Sequence, residues 1–194
     1  LKANYPVEFY AASMTLEINN TDKLNIFRKD MASHQIKLLS PDINHSNSDF
    51  KVEKLNPKEF AVRYALSAIK NVGSQAIISI CNEREKNGYF NSLLDFANRI
   101  NASELNKRQI ESLAKSGSFD LIDTNRSKIY RASEYLLKIA TKASEDRNSS
   151  QENLFGNIEE EQLELPSSLP WGEMEALKEE FEAIGFYLSG HPLD

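Results

Sequence analysis

Three short stretches of the sequence carry residue types and spacings that could bind something. In Leu66-Ser67-Ala68-Ile69-Lys70-Asn71-Val72-Gly73-Ser74-Gln75-Ala76-Ile77-Ile78-Ser79-Ile80, a short helical pattern and a longer one flank a tight turn at Lys70-Asn71-Val72-Gly73-Ser74. A glycine at such a turn lets the backbone approach an anion, while the free N–H groups at the start of the next helix point at the same oxygen. Lys70 and Arg84 would add salt-sensitive attraction to a phosphate backbone. A second stretch, Leu105 to Asp120, has the same helix-then-glycine layout and brings Lys107, Arg108, Lys115, Ser116 and Gly117. In the third, Gln151-Glu152-Asn153-Leu154-Phe155, an aliphatic–aromatic pair stands in an otherwise polar, acidic segment with no core to join. Leu154 and Phe155 are candidates to fill a partner's pocket, with the Gln151 amide bonding at its rim.

The first two stretches resemble helix-hairpin-helix motifs, which hold nucleic acid by its phosphates and ignore base sequence. Asn71 stands where such motifs usually have the first of two glycines, and Asn is among the residues that tolerate left-handed backbone. The bland alternative is a pair of ordinary αα-hairpin turns that only pack. For Leu154 and Phe155 it is a tuck onto the preceding helices. Enzymatic chemistry has less to stand on. His34, His45 and His191 are scattered without metal-ligand spacing, Cys81 is alone, and no nucleophile–base arrangement or phosphate-cradling glycine loop is present. Tyr89, Phe90, Leu93, Leu94 and Phe96 recur at helical steps that suit a buried face better than a base-stacking platform.

The elements that must position these residues read as mainly α with a small β-hairpin. Pro6 suits a first turn ahead of Phe9, Tyr10 and Met14, and Thr21 can cap a helix whose Leu24, Phe27 and Met31 form one stripe. Ile36 to Asn44 breaks at Ser40-Pro41. Between residues 49 and 65 the period changes to alternation, with Phe50 and Val52 before an Asn56-Pro57 turn and Phe60, Val62 and Tyr64 after it, which predicts the β-hairpin. Helical patterning returns from Leu66 to about Ile139. From about 143 to 169 the chain is polar and acidic, as expected of a linker. Pro170 then opens a last helix with Trp171, Met174, Leu177, Phe181 and Ile184 on one face and Gly185 at its end.

Charge is divided along the chain. The 194 residues carry a net −6, yet residues 56–147 hold 15 basic and 11 acidic side chains, while residues 148–194 hold 1 and 11. A partner meets a basic middle and an acidic tail. The lone cysteine excludes a disulfide framework and suits a reducing, cytoplasmic setting, and no apolar run approaches the roughly 20 residues of a membrane helix.

The order of these features is what carries a whole-chain resemblance. A β-hairpin is followed by Ala68-Ile69-Lys70-Asn71-Val72-Gly73, Gly88-Tyr89-Phe90, Lys115-Ser116-Gly117-Ser118-Phe119-Asp120, the Gln151–Phe155 peptide and Tyr187-Leu188-Ser189-Gly190-His191-Pro192-Leu193. This resembles the C-family of bacterial replicative polymerases, the DNA polymerase III alpha subunits. The resemblance implies that residues 1–65 close a fingers domain and that residues 66–142 form a tandem helix-hairpin-helix element on double-stranded DNA. It further implies that residues 143–169 are a linker whose Gln151, Leu154 and Phe155 bind the beta sliding clamp, and that residues 170–194 lead toward an OB domain. The chain would then be a piece of a longer enzyme whose magnesium-dependent polymerase centre lies in an upstream palm. The fragment itself would hold no cofactor, be inactive alone, and work beside the other holoenzyme subunits and away from membranes. A nuclease or repair enzyme using the same hairpins is the rival reading, and it would need clustered acidic metal ligands near them. A helical domain whose hairpins only pack is a second rival.

Overall fold

A computed structural model describes residues 1–149 and 165–193. The first two helices, α1 (Pro6–Leu16) and α2 (Thr21–Ser33), start as their sequences dictate, with Pro6 in the first turn of α1. The cap of α2 is Asn20 rather than Thr21: the Asn20 side-chain oxygen accepts from the Lys23 N–H at 3.2 Å. Tyr10, Met14, Leu24 and Met31 turn inward.

Strands β2 (Lys51–Asn56) and β3 (Glu59–Arg63) form the expected hairpin. A two-residue strand, β1 (Leu38–Leu39), adds a parallel third member, giving the order β1-β3-β2. β1 is too short to show alternation, so its sequence gave no sign of it. The hairpin pairs Val52 with Val62 and Lys54 with Phe60, with a register shift at Leu55. Val62 and Tyr64 are buried, and α1 packs against both hairpin strands.

Beyond the sheet the chain is helical: α3 (Ser74–Asn87), α4 (Leu93–Arg99), α5 (Lys107–Lys115), α6 (Arg126–Arg131), α7 (Ser133–Ser149) and α8 (Glu173–Ile184). The helical pattern expected from Leu66 is a single 3-10 turn, Leu66–Ala68. Residues 143–149, expected to begin a linker, complete α7. One apolar core runs through the described residues. Phe90, Phe96 and Phe119 meet edge to face, with ring centroids 5.1 Å apart in each successive pair. Leu93 joins them, whereas Tyr89 stays outside and covers His45 at 5.3 Å.

The last helix buries a different stripe from the expected one. Leu177, Glu180, Ala183 and Ile184 face inward, while Met174 and Phe181 are 61% and 42% exposed. The cap is Gly172, two residues after Pro170, and Gly185 ends the helix in left-handed backbone at φ +97°.

Candidate nucleic-acid interface

The turn at Lys70–Ser74 is built as its residue types require. Asn71 takes the left-handed conformation at φ +64°, the geometry a glycine would otherwise supply. Val72 is buried and anchors the turn, while Lys70, Asn71, Gly73 and Ser74 are exposed. Gly73 is the N-cap of α3, and no side chain caps that helix. The first-turn N–H groups therefore have no intrahelical acceptor and carry the positive end of the helix dipole at an exposed turn.

The second stretch meets the first at this turn. A Cβ on Gly73 would stand 3.0 Å from the Gln109 side-chain nitrogen, so the absence of a side chain there lets α5 approach. Gln109 is fixed by a capping box: its side chain accepts from the Asn106 N–H at 2.8 Å, and Asn106 accepts from the Gln109 N–H at 2.9 Å. One cleft of about 220 Å³ is lined by Asn71, Arg108, Glu111, Ser112, Lys115 and residues of α8. Asn71, Arg108 and Lys115, distant in sequence, thus share one site.

The cations of this site are not equivalent. Among the described residues, Lys70 and Arg108 have no ion pair, and both are exposed. Lys107 makes only long contacts, 3.9 Å each, to Glu111 and Glu134. Lys115 is engaged within the protein, with its Nζ 3.0 Å from Glu179 and 2.9 Å from Glu182 on α8. Burial opposes the Lys115 charge, and the bonds to Glu182 and Glu179 more than offset it, so its pKa is raised.

Ser116 and Gly117 are also internal. Ser116 is fully buried, donating from Oγ to the Leu113 carbonyl at 2.9 Å and lying 2.7 Å from Ser118 Oγ. Gly117 has φ +81°, and a Cβ there would collide with the Arg126 guanidinium and stand 2.9 Å from an Asp120 oxygen. The reason is Arg126, which grips Asp120 with two bonds of 3.0 and 2.8 Å and reaches Glu180 at 3.2 Å. Ten residues, Ser116 to Asn125, separate α5 from α6, so this second unit is a wide connection rather than a tight turn. Arg84, expected to assist a phosphate, is instead buried and donates to the carbonyls of Ile43 and Ser46 at 2.8 and 2.6 Å.

Helix α8 fastens the whole arrangement, a role its sequence did not signal. The Lys70 N–H donates to the Ala183 carbonyl at 2.8 Å, and Gly185 leaves room for the Lys70 side chain, whose Nζ would lie 3.1 Å from a Cβ there. Glu180, fully buried, accepts from Arg126 and also from the N–H groups of Leu188 and Ser189 and the Ser189 hydroxyl, at 3.0 to 3.2 Å. Gln151, Leu154 and Phe155 lie outside the described residues. Among the described residues, no group of three or more His, Cys, Asp or Glu side chains could hold a metal ion, and no helix is long and apolar enough to cross a membrane.

A family model described as a helix-hairpin-helix motif matches residues 35–129, from just before β1 into α6, and so takes in both turns. The chain is 42% identical to DNA polymerase III subunit alpha of Caulobacter vibrioides, over the whole of this chain and 17% of that protein. Over its whole length the chain is similar to one segment of the DNA polymerase III alpha subunits. The same whole-chain match is 39% identical in Thermus aquaticus and 37% in Borreliella burgdorferi, covering 15% and 17% of those proteins. The chain spans about a sixth of the alpha subunits it matches, and this sixth contains the helix-hairpin-helix region.

Proposed function

We propose that this chain is the DNA-gripping and clamp-tethering segment of a replicative DNA polymerase catalytic subunit. The observation that carries the reading is the exposed Lys70–Ser74 turn, where an uncapped helix start lies beside Lys70 and Arg108, cations without an ion pair among the described residues. Backbone N–H groups in such a position bind phosphate without reading bases. The grip is assigned to Lys70, Asn71, Gly73, Ser74, Lys107 and Arg108. Lys115, Ser116 and Gly117 shape the site from behind. Gln151, Leu154 and Phe155 then dock on the beta sliding clamp, which encircles the same duplex, and the two weak attachments together confer processivity. Catalysis and its magnesium belong to other parts of the polymerase, in the cytoplasm with the rest of the holoenzyme. The nuclease rival lacks a ligand cluster to rest on among the described residues.

The test is duplex binding as a function of salt. Lys70→Ala with Arg108→Ala is expected to weaken affinity similarly on every duplex sequence and to reduce the salt slope by about 2. A base-dependent loss, or no change in slope, would contradict a phosphate grip and favour hairpins that only pack. For the docking peptide, Leu154→Ala with Phe155→Ala is expected to abolish capture by purified sliding clamp, and undiminished capture would end that part of the proposal.

A further inference from the structure

The β2–β3 hairpin carries a charge imbalance that the duplex grip does not use. Its acidic residues are neutralised within the protein. Arg63 holds Glu53 by two bonds of 2.7 Å, and Glu59 receives Lys37 at 3.0 Å and the Asn56 amide at 3.0 Å. Its lysines are not. Lys54 and Lys58 are exposed and have no ion pair among the described residues. The tip therefore presents two uncompensated positive charges.

An aromatic ring lies across the ladder from one of them. Lys54 and Phe60 are directly paired across the antiparallel ladder, so their side chains share one face. Two residues nearer the base, the same face carries Val52 and Val62, and Val62 is completely buried. Phe60 sits just past the edge of the core and is 43% exposed. Leu55, at the register shift beside it, is 38% exposed. The tip is held in shape, with the Lys58 N–H donating to the Asn56 side chain at 3.0 Å.

We propose that this hairpin tip is a second nucleic-acid contact, specific for single strands, in which Phe60 stacks under an unpaired base while Lys54 and Lys58 hold the flanking phosphates. Charge complementarity selects a polyanion, because every carboxylate of the hairpin is already neutralised. The ring selects the single strand: in a duplex the base faces are covered by their neighbours, whereas an unpaired base offers its face to an aromatic ring. The contact is sequence-tolerant, since each base has such a face. It rests on the nucleic-acid reading above only for the class of polymer and uses none of the same side chains.

The experiment compares fluorescence anisotropy of this chain on a single-stranded oligonucleotide and on a blunt duplex. Phe60→Ala is expected to weaken single-strand binding roughly tenfold and leave duplex binding unchanged. Phe60→Tyr should retain affinity, whereas Phe60→Leu, which keeps apolar area without the ring face, should lose it. Lys54→Ala with Lys58→Ala should lower the single-strand salt slope by about 1.4. Thermal unfolding of each variant separates loss of contact from loss of fold. Unchanged single-strand affinity in Phe60→Ala, or equal retention by Phe60→Leu and Phe60→Tyr, would overturn the inference. Because Lys70→Ala with Arg108→Ala is read on the duplex, the duplex grip can stand or fall independently.

Discussion

Left-handed backbone at a residue with a Cβ costs roughly 1–2 kcal/mol for most side chains and less for Asn, so Asn71 is a position where residue type and turn geometry constrain each other. Asn71→Gly is expected to preserve duplex affinity. Asn71→Val should lower stability by about 1–2 kcal/mol in urea denaturation and distort the turn, since a β-branched side chain tolerates φ +64° poorly. This turn was legible in the sequence because the residues that set its backbone, Asn71, Val72 and Gly73, are consecutive, whereas its fastening to α5 and α8 was not. Glu180 was not legible. It reads as one more charge in an acidic helix, and its main partner, Arg126, is 54 positions away. Removing one member of a buried, hydrogen-bonded pair leaves the other charge uncompensated and typically costs about 3–5 kcal/mol. Glu180→Ala should approach that loss, while Glu180→Leu combined with Arg126→Met should recover part of it. A loss below about 1 kcal/mol would mean that Glu180 does not hold Arg126 and Ser189 in place.

At the scale of elements, α8 decides how far the two turns form one site. Its seat on α5 depends on charge, and the dependence has a definite sign. The hydrogen bond from Lys115 holds the Glu182 carboxyl below its ordinary 4.5. That contribution is therefore complete above pH 4.5 and disappears as pH falls through the lower folded value. Lys115 is raised above 10.5, with burial outweighed by its bonds to Glu182 and Glu179. Its contribution is complete below that pH and disappears as pH rises through the folded value. The lone tryptophan reports on this contact, because Trp171 lies against Tyr130, 5.6 Å between centroids, and Lys115 sits 5.3 Å over the same Tyr130 ring. Trp171 fluorescence is expected to change below pH 4.5, and Glu182→Gln should remove most of that acid limb. Added salt should shrink it, since Glu182 is half exposed. An acid transition that Glu182→Gln leaves intact would assign the change to other carboxylates. The helix itself was legible from its apolar spacing, but of the one face expected for Trp171, Met174, Leu177, Phe181 and Ile184 only Leu177 and Ile184 turn fully inward, and Met174 and Phe181 are exposed. Periodicity locates a stripe. It cannot say that a buried carboxylate will displace two apolar residues from it.

For the whole molecule, the proposed function depends on separate attachments acting on one DNA, and this gives a prediction that no single contact does. The basic section, residues 56–147, carries the turns, and the acidic section beyond it carries Gln151, Leu154 and Phe155, so the chain's net −6 conceals the arrangement. Two modest sites on one chain raise the effective concentration of the second once the first is bound, which can lengthen residence by about 10²–10⁴ without any new contact. The consequence appears only when both ligands are present together. On duplex without clamp, Leu154→Ala with Phe155→Ala should leave the dissociation rate unchanged, because the peptide touches no DNA. On duplex carrying a loaded clamp, the same variant should dissociate faster by a factor within that range. Lys70→Ala with Arg108→Ala should instead speed dissociation in both settings, because the grip it weakens is on the duplex itself. Equal effects of the peptide variant with and without clamp would place Leu154 and Phe155 in the fold or on the DNA, and tethering would have to be abandoned even if the duplex grip survived.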